Sequence, residues 1–341
     1  MKKVSLVVDM NGCPNRCKHC WLGHMPNLKM DEKADEFLVE YFKPYFDSVT
    51  YYSWVREPDF CEDYKERWIK DNLISVQDKP ERFELASFYR LVRDPEYVLF
   101  LKENGVKKVQ LTFFGLEDMT DAYVGRKNAF QELLQATDIL IANEISPRWQ
   151  AFINEENKDE IVKLLELIRE LELYERCKNF GGEFRFFVHE GSCDGENYKL
   201  YPIRIQKKHI PEELIPYYLN YEDVLEEKAC MELLKEDTAP IHFEISDDIV
   251  LNISNQMDVY YNYTHMTAPW VIGNAYREDA GELVRKILTG DTKALNLAGQ
   301  VSYGELVSRY GDPFSEKVFD PEDYKMYLLN RYLDDTYSKE I

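Results

Sequence analysis

Short apolar runs alternate with amphipathic stretches through the first 190 residues of this 341-residue chain. The runs predict strands at residues 4–8, 49–54, 83–87, 109–114, 149–153 and 184–188. Apolar residues recur every three or four positions between them, which predicts helices at residues 31–45, 94–104, 129–143 and 158–173. Strand–helix units of this kind build a parallel sheet covered by helices. Six units are too few to close an eight-stranded barrel, so we expect an α/β fold with an open, partial (β/α)6 TIM-like barrel.

The character of the sequence changes near residue 195. Residues 241–254, IHFEISDDIVLNIS, alternate like a β-hairpin with Asp247 and Asp248 at its turn. The tail from residue 278 to residue 341 has a helical and acidic pattern. We therefore predict a partial barrel in residues 1–195 and a small C-terminal α+β module with a helical tail in residues 196–341.

Acidic side chains outnumber basic ones by 63 to 42, which gives a net charge of −21. This excess repels a phosphate backbone and an anionic membrane surface, so neither nucleic acid nor a membrane is an expected partner. The chain has no apolar run of the roughly 18 residues that a membrane span needs. Its N-terminal apolar stretch is also short for a signal peptide, and we expect a cytoplasmic protein.

Three of the seven cysteines, Cys13, Cys17 and Cys20, lie in one loop directly after the first predicted strand. Such crowding and an odd total do not indicate a secreted disulfide framework. Thiolates suit zinc or an iron–sulfur cluster. Zinc sites usually draw ligands from two knuckles and only one is present, so a zinc site completed by His24 is the alternative. Three thiolates can instead hold three irons of a cubane cluster and leave the fourth iron open.

The segment CPNRCKHC combines C-x3-C-x2-C spacing with an aromatic residue before the third cysteine. It resembles the signature of the radical S-adenosylmethionine (radical SAM) superfamily. The resemblance implies that Cys13, Cys17 and Cys20 ligate a [4Fe–4S] cluster, that SAM chelates the open iron, and that His19 lies beside SAM. It further implies an anaerobic oxidoreductase that cleaves SAM reductively to a 5′-deoxyadenosyl radical. That radical abstracts hydrogen from the substrate, and the electron comes from a flavodoxin- or ferredoxin-type donor.

The same resemblance covers residues 4–190. The family's Gly-Gly-Glu-Pro follows the second strand, and here Val55 and Arg56 replace both glycines while Glu57 is kept. Glu57 is thereby implied to contact the SAM amino group, and the alternative is a solvated loop glutamate. Arg148, near the start of the fifth predicted strand, is implied to reach the SAM carboxylate or ribose, or else to form a surface ion pair. His189 ends the sixth predicted strand, where it is implied to face the top of the barrel or to be a structural histidine.

Residues 241–288 resemble, more weakly, the SPASM/twitch extension of some radical SAM enzymes. The extension is degenerate, because Asn252 and Ser254 stand where a cluster cysteine is expected. Four cysteines remain, scattered singly: Cys61, Cys177, Cys193 and Cys230. We expect Cys61 and Cys193, which follow predicted strands, to face the active cavity and the other two to be buried or inert. An auxiliary cluster on these four cysteines is the alternative.

These features predict a radical SAM enzyme that acts on a peptide, as a peptide maturase. Radical rearrangement or dehydrogenation of a small molecule is the second interpretation, and activation of a partner enzyme through a glycyl radical is the third. A non-catalytic zinc-binding or cluster-scaffold protein is the alternative outside enzymes.

Overall fold

A computed structural model of the chain describes residues 2–23, 25–31, 33–82, 84–262 and 265–337. Its strands are β1 (Lys3–Val8), β2 (Ser48–Tyr52), β3 (Lys108–Phe113), β4 (Ser146–Phe152), β5 (Arg185–His189), β6 (Leu225–Glu226), β7 (Asp248–Ile253), β8 (Asp258–Tyr261), β9 (Gly273–Asn274) and β10 (Val318–Phe319). Its first eight helices are α1 (Ala34–Phe42), α2 (Tyr64–Ile74), α3 (Phe88–Leu91), α4 (Pro95–Glu103), α5 (Glu117–Val124), α6 (Ala129–Ala142), α7 (Lys158–Glu170) and α8 (Leu173–Lys178). The others are α9 (Glu227–Leu234), α10 (Ala280–Thr289), α11 (Lys293–Ala298), α12 (Tyr303–Tyr310) and α13 (Pro321–Tyr337). Short 3-10 segments cover Gly195–Ile203, Lys207–His209, Glu212–Tyr217 and Ala268–Trp270.

Two sheets, each built around parallel strands, form the centre of the first part of the fold. In one sheet β1 lies between β2 and β7 and is parallel to both strands. Strands β8 and β9 extend that sheet in antiparallel fashion, in the order β2-β1-β7-β8-β9. The other sheet contains β3, β4 and β5, which are parallel to one another. The predicted α/β fold, with parallel strands linked by helices as in a partial barrel, is confirmed.

The alternating side chains of β1 divide between the hydrophobic core and a cavity. Successive side chains of a strand point to opposite faces. Val4, Leu6 and Val8 belong to the hydrophobic core that also contains residues of α1 and α10. Ser5 and Val7 lie on the other face, where they line a cavity. The outward face of β1 thus holds the sheet to its helices, and the inward face is free for ligands.

Two predictions about strands are wrong. Phe83 lies outside the described residues, and residues 84–87 form no strand. One backbone bond, from the Gln110 N–H to the Glu84 carbonyl (2.8 Å), ties this segment to β3. The run ends early because the Ser87 side chain accepts from the Arg90 N–H and caps α3.

The predicted hairpin turn at Asp247 and Asp248 is also wrong. Residues 241–247 form no strand, and β7 begins at Asp248. The turn of the hairpin instead follows β7, where the Ser254 hydroxyl accepts from the N–H groups of Gln256 and Asp258. The reason is that β7 pairs along its whole length with β1, from Lys3–Asp248 to Val8–Ile253. A strand located after residue 195 in the chain therefore belongs to the first sheet.

Within the part of the chain that the structure describes, we find no helix with both the length and the apolar character needed to cross a membrane.

Candidate functional site

A cavity of about 500 Å³ lies between strands β1 and β7 and the loops that follow β1 and β2. The loop of residues 9–30, called the cysteine loop from here on, supplies much of its wall. The thiol-bearing residues Cys13, Cys17 and Cys20 all line this cavity, together with His19 and Glu57. The structure therefore brings five of the seven predicted site residues to one space.

A buried ion pair closes the base of the cysteine loop. Arg56 Nη2 lies 2.8 Å from Asp9 Oδ2, and both side chains are almost fully buried. The same guanidinium donates to the carbonyl oxygens of Met25 (2.8 Å) and Pro26 (3.2 Å). Arg56 thus fastens both ends of the loop. Sequence reasoning had treated Arg56 only as a missing glycine, although the ends of adjacent parallel strands meet, which would have placed Arg56 near Asp9.

The middle of the cysteine loop rests on the end of α5. The N–H groups of Arg16 and Lys18 donate to the carbonyl oxygens of Val124 (2.9 Å) and Tyr123 (2.8 Å). Gly125 follows with φ of 71°, and a Cβ atom there would lie 2.8 Å from the Arg16 carbonyl oxygen. Only glycine combines that conformation with such close approach. Gly125 therefore sets the distance between α5 and the cysteine loop.

The residue after Gly125 also contacts the loop. Arg126 Nε donates to Asn15 Oδ1 at 2.9 Å, and Arg126 Nη1 lies 2.6 Å from Glu132 Oε2. Gly125 and Arg126 thus both hold the cysteine loop against the end of α5.

The three thiols have the character of metal ligands held ready in a buried space. Burial raises the pKa of Cys13 and Cys20, and it raises the pKa of Cys17 to about 12. Glu57 and the neighbouring thiols, which line the same cavity, raise the pKa of Cys13 and Cys17 further. A bound metal supplies the positive charge that reverses this effect and deprotonates the thiols.

Three thiols that line one space are a donor set suited to an iron–sulfur cluster. Among the described residues, no three His, Cys, Asp or Glu side chains are placed to hold one metal ion. Thiolates of a cubane cluster bind different irons, so they need only face the same space, as Cys13, Cys17 and Cys20 do. His24, the fourth ligand of the alternative zinc site, lies outside the described residues.

Glu57 places an unpartnered carboxylate oxygen beside the thiols. Its Oε2 lies 4.0 Å from the Cys13 Sγ, and its Oε1 is buried without a hydrogen-bond partner. Burial raises the pKa of Glu57 to about 7, although the nearby Ser87 side chain and the charge of Arg126 oppose the rise. An unmade hydrogen bond at a buried carboxylate is costly, so this oxygen is suited to receive a donor from a ligand.

His19 lies in a stack of aromatic rings. Its ring centroid is 4.5 Å from that of Phe114 and 4.7 Å from that of Phe152. Burial lowers the pKa of His19 to about 3, and Nδ1 has no partner. His189 packs on Phe152 at 4.4 Å, and burial lowers its pKa to about 4. Both imidazoles are therefore neutral at physiological pH.

A second, narrower cavity adjoins this stack. His19, Phe114 and Phe152 line it together with Asn197 and Arg204. Asn197 Oδ1 is buried there without a hydrogen-bond partner, while Arg204 Nη2 lies 3.7 Å from Glu190 Oε1. The space measures about 30 Å³, which is room for a water molecule and not for a ring. Sequence reasoning missed Asn197 and Arg204, because they follow the barrel region in an irregular segment.

Arg148 lies apart from the cysteine loop. Its Nη1 is 2.6 Å from Glu84 Oε2, and its Nη2 donates to Gln110 Oε1 at 2.7 Å. Arg148 is not among the described residues that line either cavity.

The four other cysteines have no common site. Cys177 is fully buried in the core around β3, β4 and β5. Cys193 and Cys230 lie in a different core, formed largely by the C-terminal helices, and Cys61 packs at the edge of the first. This distribution favours inert thiols over an auxiliary cluster.

Asp71 of α2 supports the segment that leads to Glu57. Its Oδ2 accepts from the Ser53 N–H at 2.9 Å, and its Oδ1 is buried without a partner. Burial raises the pKa of Asp71 to about 7, above the unfolded value of about 3.9. The folded chain then binds this proton more tightly, so the contribution of Asp71 to stability is present below pH ~4 and is lost as the pH rises to about 7.

We expect Asp71→Asn to remove this loss of stability with rising pH. Between pH 5 and pH 8, the free energy of unfolding should fall less in the variant than in the unmodified protein, by about 1 kcal/mol or more. Urea denaturation at the two pH values measures the difference. Equal pH dependence in the two proteins would contradict a protonated Asp71.

Comparison with known proteins adds the following. Residues 7–168 match the family model of the radical SAM superfamily. No curated protein matches the sequence. A structure of anSMEcpe with bound AdoMet and a Cp18Cys peptide is similar with a TM-score of 0.47 and 12% identity, over 99% of this chain and 100% of that one.

Two further structures are similar over most of the chain. SuiB of Streptococcus suis, bound to its precursor peptide SuiA, has a TM-score of 0.47 and 13% identity, over 92% of this chain and 74% of that one. BtrN, in complex with AdoMet and 2-DOIA, has a TM-score of 0.27 and 11% identity, over 93% of each chain. At these TM-scores the likeness identifies no substrate.

Proposed function

Since residues 7–168 form a domain of the radical SAM superfamily and the chain is accordingly an enzyme, we propose that it holds a [4Fe–4S] cluster on Cys13, Cys17 and Cys20. We further propose that it binds SAM at the open iron and removes a hydrogen atom from a peptide. The observation that carries this proposal is the convergence of the three thiols and the unpartnered carboxylate of Glu57 on one cavity. When bound, the cluster supplies the electron that breaks the S–C5′ bond of SAM.

The chain's own residues would hold SAM at both of its ends. Glu57 Oε1, buried and unpartnered, would accept a hydrogen bond from the amino group of the methionine part. The adenine would lie in the 500 Å³ cavity against His19, whose ring packs on Phe114 and Phe152. Hydrogen bonds to a charged group and ring stacking are the interactions that such ligands use.

The other two predicted SAM contacts have different support. His189 continues the ring stack on the far side of Phe152, and we propose that it limits the depth of the adenine site. The pairing of Arg148 with Glu84 favours the ion-pair interpretation of that arginine.

Reduction of the cluster requires an electron donor, for which we propose a flavodoxin- or ferredoxin-type protein. Arg16 and Lys18 flank Cys17 in the cysteine loop, and they place positive charge beside the cluster ligands of a chain whose net charge is −21. An acidic carrier would be repelled by most of this surface and attracted here. Air would destroy an exposed cluster, so we propose strictly anaerobic activity.

For the substrate we propose a peptide. The acidic surface complements a basic leader segment, and the C-terminal region resembles a SPASM/twitch extension that has lost its cluster cysteines. The cavity volume of about 500 Å³ is also typical of small-molecule sites. Radical rearrangement or dehydrogenation of a small molecule is therefore the second candidate.

Product analysis tests the proposal. We expect the anaerobically reconstituted enzyme to release 5′-deoxyadenosine from SAM when dithionite is present, and to release none without the reductant. Chromatography with mass detection measures the nucleoside. Failure of the iron-loaded enzyme to release it would overturn the proposed reaction.

We expect Glu57→Gln to weaken SAM binding and to leave the cluster in place. Loss of a hydrogen bond to a charged group raises Kd about tenfold, or about 1.4 kcal/mol. Anaerobic calorimetry of the oxidised enzyme measures the Kd of SAM. Glu84→Gln is the matched control, because Glu84 pairs with Arg148 and is not among the described residues that line either cavity. An unchanged Kd in Glu57→Gln would rule out the assigned contact.

A further inference from the structure

A second wall of the 500 Å³ cavity comes from β1 and β7. Ser5 and Val7 of β1 lie in register with Val250 and Asn252 of β7, and all four line the cavity. The alternate residues of β7, 249, 251 and 253, belong to the hydrophobic core. The wall is therefore the inward face of two paired strands, which is a rigid support for a binding residue.

Asn252 is the unusual residue of this wall. It is only 1% exposed, and its side-chain Nδ2 is buried without a hydrogen-bond partner. Buried amide groups in folded proteins are nearly always paired. An amide left unpaired on the wall of a cavity is placed to donate to something that enters it.

The wall carries no fixed charge. Its polar side chains are those of Ser5, Asn252 and, after β8, Asn262. Among the described lining residues, the charged ones belong to the loops: Arg16, Arg56 and Glu57. Arg56 is committed to Asp9. A carboxylate or phosphate would find no cation on this wall, whereas the carbonyl oxygen of a neutral amide finds a donor in Asn252 Nδ2.

We propose that Asn252 binds a peptide group of the substrate, with Nδ2 donating to a carbonyl oxygen of the substrate. This inference rests on the proposed function and narrows it, because it assigns the substrate class to neutral amides and names a residue that recognises them.

Binding without turnover tests the proposal. The probes are N-acetylalanine N-methylamide, which presents two amides, and N-acetylalanine, which presents a carboxylate in place of one. Saturation-transfer NMR on the oxidised, reconstituted chain with SAM gives the Kd of each. We expect the amide to bind at least fivefold more tightly than the carboxylate.

Asn252→Leu, close in size, should weaken binding of the diamide at least fivefold and so remove its preference over N-acetylalanine. Asn252→Ala, which cannot overfill the wall, should do the same. Asn296→Leu on α11, an exposed position, is the matched control and should bind as the unmodified chain does.

Three results would each overturn the proposal. The first is that both Asn252 variants bind the diamide as tightly as the unmodified chain does. The others are that the unmodified chain prefers N-acetylalanine, or that it binds neither probe. Failure of the proposed function appears separately, as absence of 5′-deoxyadenosine from SAM and dithionite, since the binding measurement uses no reductant.

Discussion

Cys17→Ala is expected to lose the cluster and the cleavage of SAM together. Cys17 lines the cavity with Cys13 and Cys20, and burial holds its thiol at a pKa of about 12 in the absence of metal. Two thiolates cannot hold the three irons that we propose the loop binds. We expect iron to fall from about four per chain to below one, and 5′-deoxyadenosine to become undetectable. Iron analysis and product chromatography after anaerobic reconstitution measure the two effects.

Cys177→Ala is the matched control for this variant. Cys177 is also a buried thiol whose pKa is raised by burial, to about 11, but it packs in the core around β3, β4 and β5. This variant should keep its iron and its activity, and should lose only some stability through the small cavity it creates. Full iron content in Cys17→Ala, or loss of iron in Cys177→Ala, would refute the assignment of ligands.

Gly125→Ala is expected to damage the site without touching a ligand. Its Cβ would lie 2.8 Å from the Arg16 carbonyl oxygen, so the cysteine loop must move away from α5. Displacement of a site by about 1 Å can cost roughly 100-fold in rate. We expect iron loading to fall by about half and the rate of SAM cleavage to fall at least tenfold, measured under the same reconstitution conditions.

Gly105→Ala is the control that separates the steric clash of Gly125→Ala from the backbone strain of an alanine with positive φ. Gly105 also follows a helix with positive φ, 79°, but a Cβ there would have no neighbour within 4 Å. Both variants bear the cost of a left-handed alanine, about 1–2 kcal/mol, and only Gly125→Ala presses on the cysteine loop. If the two variants load iron equally well and cleave SAM equally fast, the contact between Gly125 and Arg16 has no role in the site.

Local signals allowed much of the first half of the fold to be predicted. Helix α4 begins where Asp94 accepts from the Glu96 N–H and Pro95 occupies the first turn, a pattern visible in the sequence. Strand β1 was evident from its apolar run. The run at residues 84–87 was misread because Ser87 turns it into a helix cap, and apolar content alone does not distinguish these outcomes.

Contacts between distant segments could not be predicted. The pairing of β7 with β1 joins residues about 245 positions apart, and no local pattern encodes such a partner. The three cysteines were found because their spacing is local, whereas Asn252 was noted only as a missing cysteine. Its burial and unpartnered Nδ2 exist only once β7 lies beside β1.

The most direct test of the proposed cluster is the EPR spectrum of the reduced, reconstituted enzyme before and after SAM is added, with metal content determined on the same sample. We expect about four irons per chain and a [4Fe–4S] signal whose g-values shift when SAM binds the open iron. One zinc per chain with no such signal, or a cluster signal that SAM does not change, would contradict a SAM-binding cluster on Cys13, Cys17 and Cys20.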